Sequence, residues 1–525
     1  MPDRRAHMAR SSLIVMAAFV AAKVVGLLRE RAIAHQFGAT AEYDAYVAAF
    51  KIPDLLFMLI AGGALVSAFL PVFADALSRD DEEEAWTIAS GVTNIVLLVT
   101  LALATLAAVL APWLVQHVIA PGFTAEQQAL TVDLMRIILA STLVFAVSGI
   151  QMGILNAYQH FLLPALAPIA YNLGILGGAL WLAPRYGIRG LAYGAVVGAV
   201  MHLLVKVPGL VRYGFQYRPT LALREPGVRL VLWLMWPRVL ALGTVQVVLI
   251  VNTSLASSLP AGSLSALNYA WVISQMPQTI LGTAVATVAF PTLAEYAALG
   301  RIAQLRATTV GALRVLIALS VPAAAALWVL GAPSIDILLR TGRFDQQAAD
   351  ATLAALRMFA LGLVGHVTLE VVARAFYAQK NTLTPLYVAS AAMVLNVALA
   401  LALVRPLGHS GLALANSIAV TLEVLLALVV LARLLDGMEG LQLLKTLGRS
   451  LAAAAAMAVA MGAALALLPE EITLGPLSGP FVSGVVRAGI GGALGAVTYV
   501  AVGAAVRMPE VREVRGLARS ALGRG

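Results

Sequence analysis

Long apolar stretches separated by short polar ones dominate the chain, and a hydrocarbon layer about 30 Å thick takes roughly 20 apolar residues per helix. Fourteen stretches meet that length, near 11–36, 44–74, 86–112, 130–156, 162–184, 188–211, 229–258, 264–294, 307–331, 352–378, 384–404, 410–432, 449–468 and 482–506. The first runs on from Ser11 with charged residues inside it and no convincing small-residue cleavage site, so it reads as a retained helix rather than a cleaved signal. The fold class predicted is an all-α polytopic membrane protein with 14 transmembrane helices.

Composition sharpens this. Of 525 residues, 61% are hydrophobic and only 12% charged, against about 45–50% and 25% in soluble domains. Too few charges are present to coat water-soluble domains, which excludes an ordinary soluble enzyme. The absence of cysteine excludes disulfides, iron–sulfur clusters and thiolate zinc sites, and the seven histidines form no H-E-x-x-H spacing. Neither a metal nor an organic cofactor is expected.

The formal charge of +9 takes its meaning from distribution. With the N-terminus inside, inside segments hold 20 of the 35 Lys and Arg residues, the outside loops hold five (Arg185, Arg189, Arg340, Arg343 and Arg405), and ten fall within spans. Basic residues stay on the cytoplasmic side, so both termini are placed there. The basic tail from Arg507 to Arg524 then reads as a topology determinant touching anionic lipid, not as a nucleic-acid site.

An internal duplication organises the spans. Arg136 and Arg357, Pro164 and Pro385, and Gly190-Leu191-Ala192 and Gly411-Leu412-Ala413 are each 221 residues apart. The A-L-V-S-A-F-L-P-V-F-A-D ending at Asp75 matches A-V-A-T-V-A-F-P-T-L-A-E ending at Glu295 at 220. Two parallel-repeat six-helix lobes follow, residues 1–211 and 229–434. A cytoplasmic linker covers 212–228, and 435–525 supplies two C-terminal helices and the tail. Six crossings is an even number, so both lobes enter from the same side and the symmetry axis lies along the membrane normal. A shared interface suggests a cavity that opens first to one side and then to the other.

Charged groups near the bilayer centre cost at least roughly 2.5–3.5 kcal/mol each and normally face a cavity or a partner. Lys23 lies about 18 Å along the helix from Ser11, and Glu30 is seven residues on, near the same face. Arg29, with Gly26 as a candidate bend, and Asp44 and Lys51 in the second helix complete a charged lining for the first lobe. A plainer reading has Arg29, Glu30 and Arg31 snorkelling to the outer interface and Asp44 starting its helix. The second lobe carries no charge from Val239 to Phe290. Asn252, Gln275, Asn396 and Asn416 are its candidate polar lining, or hydrogen bonds between helices. Pro53 and Pro277 are hinge candidates, or static kinks.

Particular strings carry a resemblance. V-V-G-L-L-R-E-R-A-I-A-H-Q-F-G from Val24, D-A-Y-V-A-A-F-K-I-P from Asp44, G-I-L-N-A-Y from Gly153 and A-F-Y-A-Q-K-N-T-L-T-P from Ala375 resemble the MurJ (MviN) lipid II flippase family of the multidrug/oligosaccharidyl-lipid/polysaccharide exporter superfamily. The resemblance covers essentially the whole chain. It implies a bacterial cytoplasmic-membrane monomer that moves undecaprenyl-pyrophosphate-linked peptidoglycan precursor to the outer leaflet by alternating access. Lys23, Arg29, Glu30, Asp44 and Lys51 match charged positions of the family's cavity and helix 2 motif, and helices 13 and 14 would offer a groove for the isoprenoid tail. Several family charges are replaced here: Phe57 and Met58 stand for an Arg pair, Gly62 for an acid, Trp271 and Val272 for an Asp-Arg pair, Gln275 for a Glu. Ala400 follows Asn396 by one turn where sodium-binding members have an acid, so a coupling ion, Na+ or H+, is open.

Without a nucleophile–base pair or nucleotide loop, the functional classes are a lipid-linked oligosaccharide flippase, a small-molecule cation antiporter of the same superfamily, or a membrane glycosyltransferase. The last needs a catalytic acid on a sizeable outer loop, and the outer loops are short.

Overall fold

The computed structural model describes residues 2–61, 63–473 and 478–510, all helix and connecting turns, with no strand among the described residues. Gly62 and the tail beyond Glu510 lie outside them. Two compact units are present, one of residues up to Ser265 together with Gly342–Phe344, the other of the remainder.

The first unit contains α1 (Pro2–Phe37), α2 (Ala41–Ala49), α3 (Lys51–Leu56), α4 (Gly63–Ser78), α5 (Glu82–Leu114), α6 (Ala125–Ala157), α7 (Leu162–Gly177), α8 (Ala183–Tyr186), α9 (Ile188–Leu204), α10 (Val207–Arg212), α11 (Pro226–Ser257) and the start of α12 (Ser263–Gln278). Its helices α7 and α9 cross backbone to backbone through two Gly-x-x-x-Gly pairs. A Cβ added to Gly174 would sit 2.2 Å from Gly198 Cα, and one on Gly178 2.7 Å from Gly194 Cα. Small residues permit this approach in a membrane, where association rests on packing rather than on expelling water. Helix α11, which opens the second copy of the repeat, packs within this unit against α4 and α5.

The second unit holds the rest of α12, α13 (Ala284–Ala298), α14 (Ile302–Val329), α15 (Gly331–Leu338), α16 (Gln346–Ala378), α17 (Leu383–Leu434), α18 (Gly440–Leu467) and α19 (Pro480–Ala505). Leu305, Leu313 and Leu316 of α14 and Val367, Val371 and Phe376 of α16 form its buried core with Leu431 of α17.

By length and composition, eleven helical segments among the described residues can cross a membrane. One of them, α17, contains two of the expected spans, separated at Gly408, whose φ of 58° and ψ of −139° break the helix. The expected first and seventh spans form α1 and α11, which include residues whose side chains lie outside those described, so eleven counts the described residues alone and the exact number of fourteen is not confirmed.

Backbone geometry repeats at the offset found in the sequence. Both α6 and α16 have 33 residues and start 221 apart, capped by Thr124 and Asp345, each accepting from a main-chain N–H three residues on. Gly187, with φ 59° and ψ −143°, matches Gly408. The shared Gly-Leu-Ala motif has a steric cause. A Cβ on Gly190 would lie 2.4 Å from Leu182 C, and one on Gly411 2.2 Å from Leu403 O. Single π-helical turns at Phe57–Ala61 and Thr279–Thr283 follow Pro53 and Pro277 in the two copies, where the missing proline N–H loosens the ladder.

Candidate functional site

Glycine, a planar cation and a carboxylate follow one another along α1. Gly26 faces α7, where a Cβ would stand in ordinary contact, 3.8 Å from Asn172 Nδ2. One turn later Arg29 donates from Nη1 to Asn172 Oδ1 at 2.8 Å and from Nη2 to Glu30 Oε1. Tyr43 of α2 adds a long hydrogen bond to Glu30 Oε2, 3.5 Å. Glu30 is buried and Arg29 partly so. Pairing removes the penalty of an isolated charge in an apolar setting, and the planar guanidinium suits two simultaneous acceptors. Arg29 Nε has no partner among the described residues. Around the pair, Tyr46, Lys51, Asp54 and Tyr171 lie within mutual electrostatic reach. The result is a polar cluster drawn from α1, α2, α3 and α7.

The sequence candidates divide. Arg29 and Glu30 are together, and Lys51 is nearby with Asp54 as its charged neighbour. Lys23 is exposed, on a face with Val20, Val24 and Leu28, and makes no hydrogen bond or ion pair among the described residues. Asp44 has a different occupation. Its Oδ2 accepts from Gly262 N, and its Oδ1 from Ser265 N and Oγ, all at 2.6 Å. It holds the turn before α12, where Gly262 has φ +90° and a Cβ would meet Ala39 O at 2.4 Å. Both carboxylate oxygens are committed there, away from the Arg29–Glu30 pair. Helix α1 runs unbroken through Gly26, so the helix does not break at that residue.

Asn252 belongs to the first unit and its Oδ1 is buried without a partner among the described residues. In the second unit Asn416 Oδ1 lies 3.0 Å from His366 Nε2, and the His366 ring meets Trp271 edge-on. Asn396 Oδ1 is buried and unpartnered, and Gln275 is half-buried. Of the replaced family charges, Phe57 packs edge-on against Phe145, Met58 is exposed, and Trp271 packs against Phe359.

Within the second unit a groove of about 900 Å³ runs among α14, α16, α17 and α18, lined by Ile317, Val364, Val424, Leu428, Leu447 and Leu451, with only Thr368 and Thr421 polar. Helix α19 does not line it. That helix packs on a neighbouring face of α18, through Tyr499 and Val502 against Met457 and Met461. Of the expected pair of helices 13 and 14, this groove uses α18.

Sequence reasoning missed Asn172, Tyr43, Tyr46 and Tyr171, neutral residues whose role depends on partners far along the chain. Asp54 was legible, one turn after Lys51. So was Lys206, a basic residue inside a span, which is fully buried against Ser148 and His202.

A duplicated set of membrane-crossing helices with a buried charged cluster in one unit and an apolar groove in the other defines a polytopic membrane transporter. The family model described as lipid II flippase MurJ matches residues 33–477, and the chain belongs to that family. It is 31% identical over 425 residues to a lipid II flippase MurJ of Burkholderia cenocepacia, covering 79% of this chain and 82% of that one. With a probable lipid II flippase MurJ of Bdellovibrio bacteriovorus the figures are 28% over 466 residues, 88% and 89%. In fold it is similar to a solved lipid II flippase MurJ in an inward closed conformation, with TM-score 0.79, 24% identity and coverage of 93% and 98%. An inward-facing multidrug resistance MATE transporter of the MOP superfamily follows at TM-score 0.67, 16% identity, 81% and 98%.

Proposed function

We propose that the protein is a transporter and not an enzyme, and that it carries lipid II, the undecaprenyl-pyrophosphate-linked peptidoglycan precursor, from the inner to the outer leaflet of the bacterial cytoplasmic membrane by alternating access. Both termini face the cytoplasm in this reading, as the distribution of Lys and Arg requires. One observation carries it in a chain of this family. Arg29 is fixed between Glu30 and Asn172, while the Lys23 ammonium, about 9 Å away along the helix, is unpaired among the described residues.

A diphosphate needs donors that are already oriented. Lys23 brings three unused N–H groups and Arg29 a fixed, partly exposed guanidinium, and charge-assisted bonds to phosphate oxygens are about twice as strong as neutral ones. Glu30 and Asn172 keep the guanidinium from collapsing onto the cargo or retreating from it. The apolar groove of the second unit supports the same reading, since an isoprenoid chain has nothing to hydrogen-bond and gains only by apolar contact.

The test is rescue of a bacterium depleted of its own lipid II flippase. The wild-type chain should restore growth and outer-leaflet precursor, and Lys23→Ala or Arg29→Ala should abolish rescue while the protein stays in the membrane at normal amount. Failure of the wild type, when present in the membrane, would overturn the reading. Unaffected rescue by both variants would remove their assigned roles. The uncharged Phe57, Met58, Trp271 and Val272 favour a second reading, a flippase for another lipid-linked oligosaccharide. Restoration of a different surface glycan without precursor transport would select it.

A further inference from the structure

Beneath α9 the first unit buries a lysine that the proposed cargo path does not use. Lys206 follows His202 by one helical turn, just past the end of α9, and is fully inaccessible. Its Nζ donates to Ser148 O at 2.7 Å and Ser148 Oγ at 2.6 Å, and stands 3.4 Å from His202 Nδ1. Ser148 Oγ is in turn 2.8 Å from His202 Nδ1. The approach of the Lys206 ammonium to His202 Nδ1 at 3.4 Å disfavours a proton on that nitrogen, so we assign Ser148 Oγ as the donor to Nδ1 and the imidazole as neutral with its proton on Nε2. The C-terminal end of α9 favours one positive charge at this place, but two cations within 3.4 Å without a counter-ion oppose each other.

Among the described residues no carboxylate is in reach: the charged group acting on His202 is Lys206, and none acts on Lys206. Neighbouring elements agree. On α6, Glu126, Asp133 and Arg136 lie twelve or more residues before Ser148. On α7 the titratable group is Tyr171, screened by Phe145, whose ring contacts both Tyr171 and His202 at 5.2 Å. Arg185 and Tyr186 of α8, with Arg189 and Tyr193 of α9, sit toward that helix's other end, and Arg212 of α10 is six residues past Lys206. On α2, Glu42 pairs with Arg343, Tyr43 with Glu30 and Asp44 with the α12 turn, leaving Tyr46 beside the Arg29 cluster.

We propose that Lys206, Ser148 and His202 form a proton-exchange site holding one proton between two bases, and that this proton is taken up and released during transport. The transfer balances. Lys206 Nζ gives a proton to Ser148 Oγ as Ser148 passes its own to His202 Nδ1, leaving a neutral amine and an imidazolium. The imidazolium loses its Nε2 proton to water when the unit opens, and the return follows the same steps backwards. Only the coupling to cargo rests on the flippase reading. The proton site stands by itself.

The experiment has two arms on the full-length protein. In lipid nanodiscs, histidine labelled with 15N is followed across pH, with His202 assigned by the signal lost in His202→Gln. The expected result is a neutral, Nε2-protonated His202 in the wild type, and in Lys206→Met a protonation step at higher pH than in the wild type, because the opposing ammonium is gone. Identical titration in both overturns the shared proton. In vesicles containing lipid II and an internal pH dye, a one-unit pH gradient should change wild-type flipping by up to about tenfold and flipping should move the dye signal. Lys206→Arg, which keeps the cation but cannot release a proton, should flip without either response. Wild-type flipping that ignores the gradient and leaves the dye unmoved overturns the coupling and leaves the flippase reading intact. Absence of wild-type flipping overturns that reading, and the nanodisc titration still decides the proton site.

Discussion

The two copies of the repeat share a backbone and differ in contents. Helices α6 and α16 match in length and cap type, Gly187 and Gly408 turn the chain with nearly the same angles, and Gly190 and Gly411 meet a carbonyl group eight residues back. Yet at the same offset of 221 Lys206 becomes Ala427, His202 becomes Glu423 and Tyr171 becomes Ala392. Ala427 sits in the apolar core of the second unit, where Lys206 sits in a hydrogen-bonded cluster of the first. Where the chain must turn or two backbones must touch, duplication has kept the residue. Side chains that bind or titrate have diverged, so one copy concentrates charge and the other an apolar groove.

The largest expected effects strike the shared backbone. Gly190→Ala and Gly411→Ala each drive a Cβ into a carbonyl group, and each should cost about 3 kcal/mol, seen as parallel losses of thermal stability in detergent. Tolerance of one but not the other would break the equivalence of the two turns. Next come the places where the copies differ. Glu30→Gln leaves Arg29 without its counter-ion, and because Arg29 keeps some exposure the cost should be about 2 kcal/mol, less than for a fully buried pair. Ala427→Lys pushes a long side chain into the filled apolar core of the second copy, with Glu423 one turn back on the same helix, and the crowding alone should cost about 1–3 kcal/mol. A stable variant would mean that this core can open to polar groups as its counterpart does.

Smaller effects test single bonds. Asp44→Asn keeps one acceptor and loses the charge that draws in three donors, so about 1–2 kcal/mol should go, with faster proteolysis around Gly262 as the local readout. Smallest are Arg136→Leu and Arg357→Leu. Their Nε atoms cap Ala108 O at 3.0 Å and Trp328 O at 3.4 Å from exposed side chains, and about 0.5–1 kcal/mol is expected for each. A larger loss for Arg357 than for Arg136 would show that the cation–π contact to Trp328 adds stability the first copy lacks.

Much of this comparison was legible before any coordinates. Apolar length gives the helices, and the offset of 221 gives the duplication, because glycine and proline positions are imposed by backbone sterics and survive as identities. Charges inside spans pointed to Arg29, Glu30 and Lys51. Their neutral supports were not legible, since Asn172 and Tyr43 matter only through contacts made over 143 and 13 residues of chain. Asp44 shows the limit most clearly. Its charge and depth suggested a cavity lining, and only the packing reveals that main-chain donors more than 200 residues away occupy it.

The most direct measurement is native mass spectrometry of the full-length protein with its co-purifying lipids, for the wild type beside Lys23→Ala and Arg29→Ala. Retention of an undecaprenyl-pyrophosphate species carrying the peptidoglycan disaccharide, with occupancy falling in both variants, is the expected result. Retention of a different lipid-linked glycan, or equal occupancy in all three proteins, would contradict a diphosphate held by the charged cluster of the first copy.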